Sequence, residues 1–123
     1  MSDDRPPPTL RSRRILVVED EYVLAEDLRR ELESQGAEVI GPVPTVARAL
    51  ALLASDTVVD GAILDINLRG EVVFPVAEAL RSRGIPFLFA TGYDTHSLPQ
   101  PYAQVPCCEK PFDAGRCART LFG

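Results

Sequence analysis

The chain predicts a doubly wound α/β domain built on a five-stranded parallel sheet, and three observations carry that expectation. Ile15 to Val18 is apolar without a break, as in a strand covered on both faces. The segment after it switches to a helical period, with Leu24, Leu28 and Leu32 at i, i+4 and i+8 and Glu26, Arg29, Arg30 and Glu33 on the opposite face. Strand-like and helix-like stretches then alternate at a length that calls for right-handed crossovers between parallel strands.

Each element has its own warrant. Residues 1 to 12 hold three consecutive prolines and four charged side chains, so they are expected to form a mobile tail outside the core, with 13 to 123 as one domain. Gly36 ends the first helix, Ala37 to Gly41 is a short second strand, and Thr45 is an N-cap for an alanine- and leucine-rich helix through about Ser55. Asp60 to Asp65 is the third strand. Gly70 breaks the following loop, and Pro75 suits the first turn of a helix through Ala77, Ala79 and Leu80 to Gly84. Pro86 to Ala90 and Gln104 to Cys108 complete the sheet, and Asp113 caps a closing helix. Between Thr91 and Val105, Pro99 and Pro101 leave room for no more than about one helical turn on either side, so the fourth helix is expected to be short, displaced or missing.

At 123 residues a single domain can bury about two-thirds of its unfolded-chain surface without disulfides. A net charge of -5 argues against nucleic acid as a partner. No apolar run reaches the roughly 18 residues of a membrane span, and the first ten residues hold no signal-peptide h-region, so a cytoplasmic protein away from membranes is expected. Cys107, Cys108 and Cys117, with one histidine and no metal-ligand spacing, read as reduced, partly buried thiols.

The chemistry lies at strand ends. Glu19 and Asp20 follow the first apolar run, Asp65 closes the third, and the run Phe87 to Ala90 ends at Thr91. In a doubly wound sheet the ligand site lies beyond the carboxyl ends of the strands at the switch point, so these residues share one cleft. Two carboxylates about 4 Å apart repel by roughly 4 kcal/mol at an effective dielectric near 20. A divalent cation is therefore implied, and hard oxygen ligands favour Mg²⁺. Lys110, after the last short apolar stretch, adds a positive charge.

The series Ile-Leu-Val-Val-Glu19-Asp20-Glu21, Ile-Leu-Asp65-Ile-Asn67-Leu, Thr91 and Glu109-Lys110-Pro111-Phe112 resembles the receiver domain of two-component response regulators, over residues 13 to 122. Pro86-Phe-Leu-Phe-Ala-Thr-Gly-Tyr93 resembles the motif of the FAT GUY group of single-domain regulators. The resemblance implies a flavodoxin-like receiver fold and a phosphoryl group accepted on Asp65 from the phosphohistidine of a histidine kinase or phosphotransfer protein. It implies Mg²⁺ held by Asp20, Asp65 and the backbone carbonyl of Asn67, with Glu19 assisting through water, and a cis Lys110–Pro111 bond. Thr91 would donate its hydroxyl to a phosphoryl oxygen, and Lys110 would pair with Asp65 at rest and with the phosphoryl group afterwards. With no output segment after the last helix, signalling is expected in trans, through a downstream target protein or a phosphorelay.

Three other readings stand beside this one. A haloacid-dehalogenase-type phosphatase needs an acid/base aspartate where Asn67 stands, which disfavours an enzyme. A flavin carrier needs a phosphate loop after the first strand, where Glu19-Asp20-Glu21 would repel phosphate. A phosphorylation-independent binding module of the same fold remains, because Cys107 occupies the position of the receiver pattern's aromatic switch residue. Tyr93 is the expected substitute for that aromatic.

Overall fold

A computed structural model describes residues 9–91, 98–109 and 113–122. In chain order these hold β1 (Arg14–Val18), α1 (Tyr22–Ser34), β2 (Glu38–Val43), α2 (Val46–Ala54), β3 (Gly61–Asp65), β4 (Asn67–Leu68), β5 (Glu71–Val72), α3 (Phe74–Ser82), β6 (Phe87–Thr91), a 3-10 turn (Gln100–Tyr102), β7 (Cys107–Glu109) and α4 (Ala114–Phe122). The main sheet runs β2-β1-β3-β6-β7 with every pairing parallel. This is the doubly wound, flavodoxin-like architecture expected from the sequence. Its order reverses direction between β1 and β3, which places the switch point there.

Period-two alternation divides the core. Leu16, Val18, Ala62, Leu64 and Phe89 meet the buried faces of α2 and α3 on one side of the sheet. Ile15, Val17, Ile63, Leu88 and Ala90 meet α1 and α4 on the other. Thr45 caps α2 by accepting the Arg48 N–H at 3.2 Å, and Asp113 caps α4 by accepting that of Arg116 at 3.2 Å, both as expected.

Several expectations need correction. The buried stripe of α1 is Ala25, Leu28 and Leu32, at i, i+3 and i+7, while Leu24 stays 37% exposed. Strand β2 runs on to Val43 because an edge strand tolerates Pro42 at a register shift. Leu10 lies within the stretch read as a tail outside the core, yet it is buried against the α1/α4 face. Two backbone bonds hold it there, Arg13 N–H to the Leu10 carbonyl and Ser12 N–H to the Gly36 carbonyl, both 2.9 Å. Gly36 permits this approach, since a Cβ there would meet the Arg11 Cα at 3.3 Å.

The segment after Asp65 was read as a loop, but it forms the antiparallel β4–β5 hairpin, with Arg69 (φ 50°) and Gly70 (φ 87°) as its two central residues. Between β6 and β7 the only helical piece among the described residues is the single 3-10 turn, in line with a fourth helix expected to be short, displaced or missing; residues 92–97 lie outside the described residues. Tyr102 from that turn packs into the α2/α3 core. Its ring stacks on Phe74 at 4.5 Å and its hydroxyl donates to Glu78 Oε2 of α3 at 2.7 Å. Burial, then the Glu78 bond, push its phenol above the usual tyrosine range.

No helix among the described residues is long and apolar enough to cross a membrane. The three cysteines are free thiols, and burial pushes Cys117 up to about 12. An unfolded thiol titrates near about 8.5. Over the interval the folded protein keeps a proton that the unfolded chain has lost, so this contribution is full below about pH 8.5 and falls as pH rises toward the folded value. The decline reaches at most about 1.4 kcal/mol per pH unit. Urea unfolding at a series of alkaline pH values should therefore show a shallower loss of stability for Cys117→Ala than for wild type. Equal slopes would remove Cys117 as the cause.

Candidate functional site

Register builds the site. Val18 pairs with Leu64, so the next residues, Glu19 and Asp65, emerge side by side at the carboxyl ends of β1 and β3. Both continue the alternation of Ile15, Val17 and Ile63, which directs them to the α1/α4 side of the sheet. The Glu19 N–H donates to the Val43 carbonyl at 3.0 Å, tying this end of β1 to β2. Glu19 is buried, at 5% exposure.

Asp20 is next, and it does not cap the helix that follows. The N-cap of α1 is Glu21, whose side chain accepts the Leu24 N–H at 3.1 Å. Capping by Glu21 leaves Asp20 for the cleft. Glu19, Asp20 and Asp65 each offer a carboxylate oxygen, and these oxygens lie within 4.8 Å of one another. The donor set is all carboxylate, hard and negative, which suits Mg²⁺ or Ca²⁺ rather than a thiophilic metal. On chemistry and spacing the residues fit the implied Mg²⁺.

Asn67 opens β4 two residues beyond Asp65, and its backbone N–H donates to Asp65 Oδ1 at 3.3 Å. That contact orients the carboxylate from its own chain. Thr91 ends β6 one residue past Ala90, the register partner of Asp65, so its backbone stands on the strand beside that of Asp65. The Thr91 side chain, Lys110 with the Lys110–Pro111 bond, and Tyr93 lie outside the described residues. Cys107, at the position of the absent aromatic, is half-buried beside Phe89 in register, its thiol 3.7 Å from the Val105 carbonyl.

One residue escaped the sequence reading. Arg69, at the tip of the β4–β5 hairpin, places Nε 3.3 Å from Asp20 Oδ2. The only signal for it was an arginine before a glycine, four residues after the strand-end aspartate.

No family model matches the chain, and no curated protein does. Solved structures do. SdrG from Sphingomonas melonis Fr1 is 45% identical, with 89% of this chain and 93% of that chain covered and a TM-score of 0.77. The BeF3-activated conformation of SdrG, from a source named as Pseudomonas melonis Fr1, is also 45% identical, with 88% and 92% covered and a TM-score of 0.73. The receiver domain of a sensor histidine kinase from Pseudomonas aeruginosa PAO1, with a magnesium ion coordinated in its active-site cleft, shares the fold at 21% identity, with 89% and 94% covered and a TM-score of 0.74. With three carboxylates gathered at the switch point and nearly the whole of SdrG matched at 45% identity, the chain belongs to the receiver family of response regulators.

Proposed function

We propose that this receiver takes a phosphoryl group on Asp65 from the phosphohistidine of a histidine kinase or phosphotransfer protein, with Mg²⁺ as cofactor. The phosphorylated form then acts in trans, by binding a downstream target protein or by passing the group on in a phosphorelay. The observation that carries this reading is the gathering of Glu19, Asp20 and Asp65 within 4.8 Å at the end of the central strands. The BeF3-activated state of SdrG supports it, because trifluoroberyllate on a carboxylate oxygen has the shape and charge of a phosphoryl group.

An Asp65 oxygen attacks phosphorus, the phosphorus–nitrogen bond breaks, and its electron pair leaves with the imidazole. The carboxylate is already a nucleophile and needs no base. Asn67 N–H holds one Asp65 oxygen and leaves the other to react. A bound Mg²⁺ supplies neutralisation of the charge brought by the phosphoryl group. Asp20 and Asp65, partly exposed, would hold the ion directly with the Asn67 carbonyl, and buried Glu19 would act behind a water. Thr91 and Lys110 are assigned the hydroxyl donor and the positive charge for the phosphoryl oxygens. With Asn67 where a phosphatase needs an acid, we read the chain as an acceptor and not an enzyme. Its free thiols suit the reducing cytoplasm.

Incubation with acetyl phosphate, with and without Mg²⁺, tests the reading by intact mass. Phosphorylation only with the metal is expected, and equal incorporation in EDTA would overturn it. The ligand order is tested separately. Asp20→Asn is expected to weaken Mg²⁺ about tenfold or more, roughly 1.4 kcal/mol, and Glu19→Gln less. A calorimetric titration ranking the two the other way would overturn that order.

A further inference from the structure

We propose that Arg69 is the resident counter-ion of the acidic cleft: it holds Asp20 in the metal-free protein and must release that carboxylate when Mg²⁺ binds, so it sets the metal affinity. The inference rests on the reading of the cleft as a Mg²⁺ site.

Two independent features point to this role. The first is the ion pair itself, with Arg69 Nε 3.3 Å from Asp20 Oδ2. The second is backbone strain. Arg69 has φ of 50° at the first central position of a two-residue hairpin turn, and Gly70 follows at 87°. Such turns favour Asn, Asp or Gly at that position, and an arginine there runs against the local preference. Strain of this kind persists where the surrounding structure over-determines it, and it points toward function. An aspartate in its place would have added a fourth negative charge to the three already within 4.8 Å.

The hairpin is well tethered. Leu68 is 3% exposed and Val73 fully buried, both in the α2/α3 core, and the Val73 N–H donates to the Ile66 carbonyl at 2.9 Å. The turn therefore keeps the guanidinium within reach of Asp20 while the arginine side chain is 83% exposed and free to swing out. A guanidinium and a divalent cation cannot share one carboxylate without close like-charge repulsion, so the two compete for it. Because the arginine end of the pair is exposed, solvent screens its attraction and Mg²⁺ can displace it.

The test is a calorimetric titration with Mg²⁺ alone on the full chain, read without any phosphodonor. Arg69→Gln keeps the stem and removes the charge. It is expected to bind Mg²⁺ roughly two- to fivefold more tightly than wild type, the range a solvent-screened pair can supply. Arg119→Gln is the control for net charge. It lies on α4, outside the strand ends and hairpin that carry the three carboxylates and Arg69, and it should leave the affinity unchanged. In an Asp20→Asn background the gain from Arg69→Gln should vanish. Wild type that binds Mg²⁺ with Arg69→Gln equal or weaker overturns the proposal alone, as does a gain matched by Arg119→Gln or surviving in Asp20→Asn. A wild type that binds no Mg²⁺ overturns the reading of the site and the proposal with it.

Discussion

Asp65→Asn is expected to take up no phosphoryl group from acetyl phosphate or from a kinase, while folding normally. The amide is close in size to the carboxylate but is not a nucleophile, so the loss should be complete rather than partial. The structure excludes a trivial explanation through unfolding. Asp65 ends β3, its side chain is only partly buried, and the strand is held by parallel neighbours on both sides. Removing one of three carboxylates within 4.8 Å relieves repulsion, so the thermal midpoint in EDTA should match or exceed that of wild type. Intact mass after incubation, beside a melting curve, decides the matter. Label at the wild-type level would place the acceptor on another residue and remove Asp65 from the centre of the mechanism.

The parts of the fold legible in the sequence are those governed by local pattern. Strands β1 and β3 are buried on both faces, and their unbroken apolar runs announced them; Glu19, Asp20 and Asp65 could be placed together because strand ends in a parallel sheet converge on the switch point. The misreadings came from longer-range or compensated effects. Ala25 rather than Leu24 faces the core because the sheet below decides the rotation of α1, and a leucine at the rim of a stripe looks the same in sequence as one at its centre. Leu10 was hidden by the prolines and charges around it, and it is seated by packing on the α1/α4 face and by the Arg13–Leu10 and Ser12–Gly36 backbone bonds. The β4–β5 hairpin has strands of two residues and an Arg-Gly turn in place of Asn-Gly, below the threshold of any pattern. Arg69 was missed with it. Tyr102 could not be assigned either, since its partner Glu78 lies 24 residues away in the chain.

Phe89→Ala should produce the largest loss of stability, about 3–5 kcal/mol by the usual cost of deleting a buried phenylalanine. That is a large share of the roughly 5–15 kcal/mol of a typical domain. The expectation comes from position as much as from size. Phe89 is fully buried in β6, and its ring meets Phe74 at 6.0 Å, Phe87 at 5.9 Å and Tyr102 at 6.2 Å, all edge-on. Phe74 begins α3, and Tyr102 belongs to the 3-10 turn before β7. One side chain thus supports the sheet, the start of α3 and the 3-10 turn before β7. The backbone of Thr91 lies two residues further along the same strand, so loosening here is expected to reach the cleft as well. Urea unfolding measures the first effect, and amide exchange across residues 98–109 measures the second. Phe89→Leu, which keeps most of the volume, should lose much less. A loss below about 1 kcal/mol for Phe89→Ala, smaller than the cavity cost of the least severe core truncations, would mean that Tyr102 and Phe74 close over the gap, and that the loop between β6 and β7 is held by Glu78 rather than by the aromatic cluster.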